Sequence, residues 1–249
     1  MTNYNIQWRQ LLYCCLFLLG AQFAYSQSFA FGPKGGLSVG IQSWDGFEQD
    51  PLLSYHGILF IESAPESNAF ALFAQAGYHV RGSAIRNRFA QNIINNQVTR
   101  VPPQEFQFRN VSLTLGAKQK SDLSATDIKT YYLFGVRGDY TINTNLDEYE
   151  FLTQRFGPSI YPLDAFVQRF NYGVTLGGGF EYPVSDLVSG LLELTINPDL
   201  SNQYRQPQIP GVYNPFTGNN TTLSERLIKN VTFEVTLGLR LLRKVVYVD

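Results

Sequence analysis

Eight segments of the chain alternate apolar and polar residues, and most of them run 10 to 16 residues. They are roughly Phe31–Ser43, Leu53–Glu62, Ala69–Gly82, Phe106–Lys118, Ile128–Ile142, Val167–Tyr182, Val188–Asn197 and Leu227–Leu242. Strands of soluble proteins usually hold about five or six residues. About ten, tilted, is the length that crosses a bilayer. The last segment shows the pattern most clearly. In "KNVTFEVTLGLRLL", Val231, Phe233, Val235, Leu237, Leu239 and Leu241 share one parity, and Thr232, Glu234, Thr236, Gly238 and Arg240 the other. A strand of period two therefore has one greasy and one polar face. No segment reads as a convincing amphipathic helix.

The connections sort by length. "SAPESN" (Ser63–Asn68), "QKSDLSATD" (Gln119–Asp127) and "PVSD" (Pro183–Asp186) are short. The loops at about 83–105, 143–166 and 198–226 each exceed 20 residues, and "WDGFEQDPL" (Trp44–Leu52) is intermediate with an Asp-Gly turn signal. Every short link falls at one end of the strand bundle and every longer one at the other. That layout predicts an all-β fold, an eight-stranded antiparallel up-and-down transmembrane β-barrel with short periplasmic turns and long external loops.

Alternation alone also fits a secreted lipocalin-like barrel with an apolar interior. Residue identity separates the two. The polar face carries Lys34, Gly36, Ser38, Gly40 and Gln42, then His56 and Glu62, then Gln75, Gly77, His79 and Arg81. It continues through Gly116 and Lys118, Gly135, Arg137 and Asp139, Gly177, Gly179 and Glu181, and Glu193. Glycine is poor in a solvated strand but leaves room for long side chains in a narrow lumen. Five basic residues on this face (Lys34, Arg81, Lys118, Arg137, Arg240) match five acidic ones (Glu62, Asp139, Glu181, Glu193, Glu234). A lumen shielded from water requires that pairing, because an unpaired charge there costs several kcal/mol. The predicted lumen charge network is Arg137, Glu193, Glu234, Arg240, Glu181 and Lys34, with Arg137, Glu193 and Glu234 forming a plug-like cluster at mid-height.

The opposite face has aromatic pairs eight residues apart: Phe70 and Tyr78, Tyr132 and Tyr140, Tyr172 and Phe180. Eight tilted residues rise roughly 20 Å, close to the ~25 Å between the aromatic girdles of a membrane barrel. These six are read as a lipid-facing aromatic girdle, with outer-membrane lipid as the partner of this face.

The N-terminus reads as a secretory signal, residues 1–26. Arg9 precedes the 14-residue apolar run Leu11–Ala24, and Ala24-Tyr25-Ser26 fits a cleavage site. Residues 27–249 are then the barrel domain. Both cysteines, Cys14 and Cys15, fall in the signal, which leaves the mature chain without disulfides or thiolate catalysis. Loss of Arg9 changes 19 basic and 20 acidic residues to 18 and 20, so no basic field is available for nucleic acid.

"FGPKGGLSVG" (Phe31–Gly40), "YHGILFIES" (Tyr55–Ser63), "VQRFNYGVTLGGGFEY" (Val167–Tyr182) and "NVTFEVTLGLRL" (Asn230–Leu241) resemble the PorT-like family of outer-membrane β-barrels. The resemblance covers nearly the whole mature chain and carries no catalytic motif. It implies an eight-stranded barrel in the outer membrane of a Gram-negative cell. The name-giving members are associated with protein secretion, a role that the resemblance does not transfer. Such barrels often end on an aromatic residue used in insertion; here the chain continues to "RKVVYVD", where Tyr247 keeps the outward parity.

His56 and His79 are expected to point inward from adjacent strands in the outer half of the barrel. No third ligand is obvious from the sequence, so they are read as members of a polar lumen network and no metal or cofactor is assigned. The predicted rim offers Asp45, Glu48, Asp50, Asp139 and "LDEYE" (Leu146–Glu150), with no nucleophile arrangement, and no catalytic residue is assigned. "VPPQEF", "RFGPSIYPLDAF" and "QPQIPGVYNPF" mix proline with large apolar residues. They read equally as a binding surface and as a lid over the barrel. The chain is therefore expected to be a non-enzymatic outer-membrane barrel with a closed, ion-paired lumen. Its external loops would bind a protein or glycan partner or support an envelope or secretion complex. A small passive solute channel is the alternative.

Overall fold

The structure, a computed structural model, describes residues 28–44, 49–64, 69–91, 98–100, 102–123, 127–150, 161–213 and 218–244. The segment read as a signal, Asp45 and Glu48 of the rim, and Tyr247 lie outside them.

Fourteen strands are present among the described residues. In chain order they are β1 (Phe29–Gln42), β2 (Asp50–Ser63), β3 (Phe70–Ile85), β4 (Phe89–Gln91), β5 (Val98–Arg100), β6 (Gln104–Asp122) and β7 (Lys129–Thr144). They continue with β8 (Phe170–Ser185), β9 (Val188–Pro198), β10 (Tyr204–Gln206), β11 (Ile209–Tyr213), β12 (Asn220–Leu223), β13 (Arg226–Ile228) and β14 (Asn230–Arg243). Eight of these close a barrel in the order β1-β14-β9-β8-β7-β6-β3-β2, every neighbouring pair antiparallel. The first and last barrel strands join from Phe29↔Arg243 to Gln42↔Asn230, which removes the exposed edges of an open sheet. Each of the eight alternating segments is one barrel strand.

The bounds differ in instructive places. β6 is longer than its segment, running two residues beyond Phe106 and four beyond Lys118. β14 starts at Asn230 rather than Leu227, because Arg226–Ile228 peels away to pair with Tyr204–Gln206. The long connections thus contain structure of their own: the hairpins β4–β5 and β11–β12, the β10–β13 pair, and two 3-10 turns at Leu146–Tyr149 and Asp164–Phe166. All of them emerge from the end opposite the tight links that join β2 to β3, β6 to β7 and β8 to β9.

Sidedness is fixed by burial. Leu237 on β14 is 65% exposed, while its neighbours Glu234 and Arg240 are 5% and 6% exposed. The same contrast recurs around the barrel, with Leu37, Leu59, Leu115, Val136 and Leu194 outside and Lys34, Arg81, Lys118, Arg137 and Glu193 inside. A lipocalin-like interior would have the opposite polarity.

One distortion shapes the outer half. The β2–β3 register shifts between Pro51 and His56, and β3 bends at Gly82, whose φ is +148°. A Cβ there would stand 1.8 Å from the Phe106 carbonyl oxygen, and one on Gly40 would stand 2.6 Å from that of Gly82. Only glycine fits both the backbone angle and the approach of β1 to β3.

Candidate functional site

The lumen is filled in layers. At the outer mouth, Trp44, Ile85, Phe106, Phe108, Leu146, Val167, Tyr204 and Ile228 form a buried apolar cluster, with Tyr149, Tyr161 and Phe166 packed against it. These residues come from the strand ends and from three different connections at that end of the barrel. Hydrogen bonds tie the connections to the rim of β6: Asn145 accepts from the Gln107 amide at 2.8 Å, and Gln104 donates to the Tyr161 hydroxyl at 2.7 Å. Tyr204 Oη accepts from the Leu163 amide at 3.2 Å, and burial pushes the phenol pKa of Tyr204 up. Between lid and binding surface, Phe106, Tyr161 and Phe166 of the proline-aromatic segments belong to the lid.

Beneath the cap lies a polar layer in which Thr141 donates to Asn110, Asn230 to Gln203, and Asn230 to Asp199. Next come two arginines and two aspartates. Arg81 Nη1 reaches Asp139 Oδ2 at 2.7 Å, Arg137 Nε reaches the same oxygen at 2.7 Å, and Arg137 Nη2 pairs with Asp199. Ser112 also donates to Asp139.

His56 and His79 follow as Cα partners on β2 and β3, their rings stacked at 5.4 Å and 10°. His79 Nδ1 lies 2.8 Å from Glu234 Oε1, and His56 Nε2 lies 2.9 Å from Thr236 Oγ1. The third donor that the sequence did not reveal is therefore Glu234, brought from β14 across β1 by closure of the barrel. These three side chains are the group of described residues able to hold a metal ion.

The inner half holds the largest ion-pair network. Lys34 pairs with Glu193 at 3.0 Å, and Arg240 pairs with Glu62 at 2.6 Å and Glu181 at 3.1 Å. Lys120 bridges Glu62 and Glu181 at 2.8 and 2.9 Å, and Lys118 reaches Glu62 at 3.1 Å. Tyr131 donates to Glu193 at 3.1 Å. Phe60, Phe73, Tyr131, Leu133 and Leu191 pack among these charges, and Lys118 Nζ sits 4.7 to 5.5 Å from the ring centres of Tyr131, Phe60 and Phe73. Such cation–π contacts offset part of the cost of burying the ammonium.

The arrangement corrects three expectations. Arg137, Glu193 and Glu234 do not meet in one cluster; each is inside the lumen, but barrel shear gives Arg137 to Asp139 and Asp199, Glu193 to Lys34, and Glu234 to His79. The lumen charges gain Lys120 and Asp199, because β6 runs past Lys118 and the chain re-enters the mouth after β9, and Arg226 is buried over the Trp44 ring in the cap. Asp139 is buried with the arginines rather than on the rim.

Outside, Tyr78, Val111, Tyr140 and Phe170 are successive Cα partners in one row, and Phe70, Gln119, Tyr132 and Gly178 in another. Phe70, Tyr132, Tyr140, Tyr172 and Phe180 are exposed; Tyr78 is half-buried, its ring 6.3 Å from that of Tyr55.

No protein-family model matches the sequence, and neither does any curated protein. Solved structures do. The outer membrane protein OprG of Pseudomonas aeruginosa is 10% identical, with 88% of this chain and 97% of that chain covered and a TM-score of 0.51. The Neisserial surface protein A (NspA) is 13% identical, with 86% and 96% covered and a TM-score of 0.46. At these identities the likeness is one of fold: the chain has the closed eight-stranded architecture of outer-membrane barrels.

Proposed function

We propose that this chain is a non-enzymatic protein of the Gram-negative outer membrane that holds its lumen closed and offers its external hairpins to a protein or glycan partner, or to an envelope complex. The observation carrying this reading is the division of labour among the long connections. Part of them is consumed in the buried cap, while Phe89, Val98 and Tyr213 stay exposed on the hairpins β4–β5 and β11–β12. Large apolar residues on such tips are a liability unless something covers them. The two aromatic rows on the outside would then sit at the two membrane interfaces, after removal of residues 1–26. The PorT-like resemblance of the strands supports the envelope setting.

The test is removal of the β11–β12 hairpin and, separately, of the β4–β5 hairpin, each replaced by a short Gly-Ser link. Both proteins should stay in the outer membrane and retain the gel shift between unboiled and boiled samples. Cross-linking to envelope proteins or binding to cell-surface glycans should be lost. Unchanged capture by both deletion proteins would overturn the reading.

A further inference from the structure

We infer that His56, His79 and Glu234 form a binding site for one divalent transition cation of the zinc type, buried in the outer half of the lumen. One donor atom from each lies within 4.8 Å of the others, and all three side chains are buried. Two imidazoles and a carboxylate form a borderline donor set that suits zinc rather than calcium or magnesium, which take oxygen ligands.

Two independent features point to a ligand. The first is the orphaned Nδ1 of His56, a buried ring nitrogen with no hydrogen-bond partner. In the tautomer whose Nε2–H donates to Thr236 Oγ1, 2.9 Å away, Nδ1 presents its lone pair, the form in which an imidazole ligates a metal. The second is the charge environment of Glu234. Among the described residues, the lumen carboxylates Glu62, Asp139, Glu181, Glu193 and Asp199 each have a lysine or arginine partner. Glu234 pairs with His79 and accepts from Thr195 Oγ1 at 3.4 Å, with no lysine or arginine at ion-pair distance. Arg81, two residues from His79 on the same face, pairs with Asp139 through Nη1, and its Nε and Nη2 make no hydrogen bond to Glu234. A cation is thus the missing counterpart, and it would replace any proton held between His79 and Glu234.

Zinc ligands sit about 2.0–2.2 Å from the ion, so small rotations of the three side chains would close the site and leave a fourth position open. Gly36 and Gly77 line this level and leave the rings room; a Cβ on Gly77 would lie 2.9 Å from His79 Nε2. The inference is independent of the proposed loop partner.

The experiment uses the full mature protein extracted from outer membranes in detergent and stripped with chelator. Zinc chloride is titrated calorimetrically, and cobalt chloride is followed by its visible absorption. The expected result is one ion per folded chain at micromolar affinity or tighter, with the absorption of a four-coordinate cobalt site. Because the chain contains two histidines in all, the assignment is direct. His56→Asn and Glu234→Gln should each weaken zinc binding by roughly 10- to 100-fold, and Glu234→Asp should retain weakened binding, all judged on protein with the unboiled gel mobility. Failure of the stripped wild-type protein to bind, or binding that survives these variants or persists equally in boiled protein, would overturn the site.

Discussion

Lys34 and Glu193 meet across the lumen, Nζ to Oε1 at 3.0 Å, although β14 separates their strands in the barrel wall. Glu193→Gln leaves the buried Lys34 and Lys118 ammonium groups short of a charge. Truncating one partner of such a pair costs about 3–5 kcal/mol. Lys34→Met combined with Glu193→Leu should recover most of that loss. Urea unfolding of the barrel in lipid vesicles reads both, and equal destabilisation by the single and double variants would contradict the pairing.

The cap should behave as a unit distinct from the membrane-embedded wall. Phe106 is fully buried between Trp44 and Tyr149, with ring centres at 5.1 and 5.0 Å. Phe106→Ala should cost about 3–5 kcal/mol of cap stability. External protease should then cleave the long connections of intact cells faster while the barrel strands stay protected.

A charge on the lipid face of β14 should cost far more than one on the long connections. Val235→Arg places a cation on the lipid-facing side near mid-strand and should cost about 2–4 kcal/mol. Leu227→Arg, in the β10–β13 pair, should change folding yield into vesicles little. Similar losses from both would place the apolar belt wrongly.

Gly82→Ala should be severely destabilising for a backbone reason, since it combines a φ of +148° with a carbonyl oxygen at 1.8 Å. Gly211→Ala, at φ +73° with open space around it, carries only the conformational cost of about 1–2 kcal/mol. Comparison of their unboiled gel mobilities after heating separates the two effects.

Planar bilayers containing the wild-type protein should show no steady conductance, because Arg81, Arg137, Lys118 and Tyr131 are fully buried side chains spread along the lumen. Repeated openings of uniform size would reinstate a passive channel.

The order of residues alone determined the number of barrel strands, the inward parity of Lys34, Arg137, Glu181, Glu193, Glu234 and Arg240, and the segregation of long and short connections. Period-two alternation is local, so a single strand displays it in full. Phe60, Phe73, Leu133 and Leu191 share the inward parity of the polar residues around them. Only the closed barrel decided who meets whom. Whether Glu234 faces Arg137 or His79 depends on shear and on the closure of β1 against β14, which pairs residues as distant as Phe29 and Arg243 and which alternation does not encode. The cap and the placement of Asp199 are non-local in the same sense: each is assembled from connections whose own sequences show no period, and burial of their apolar side chains over the mouth selects one arrangement.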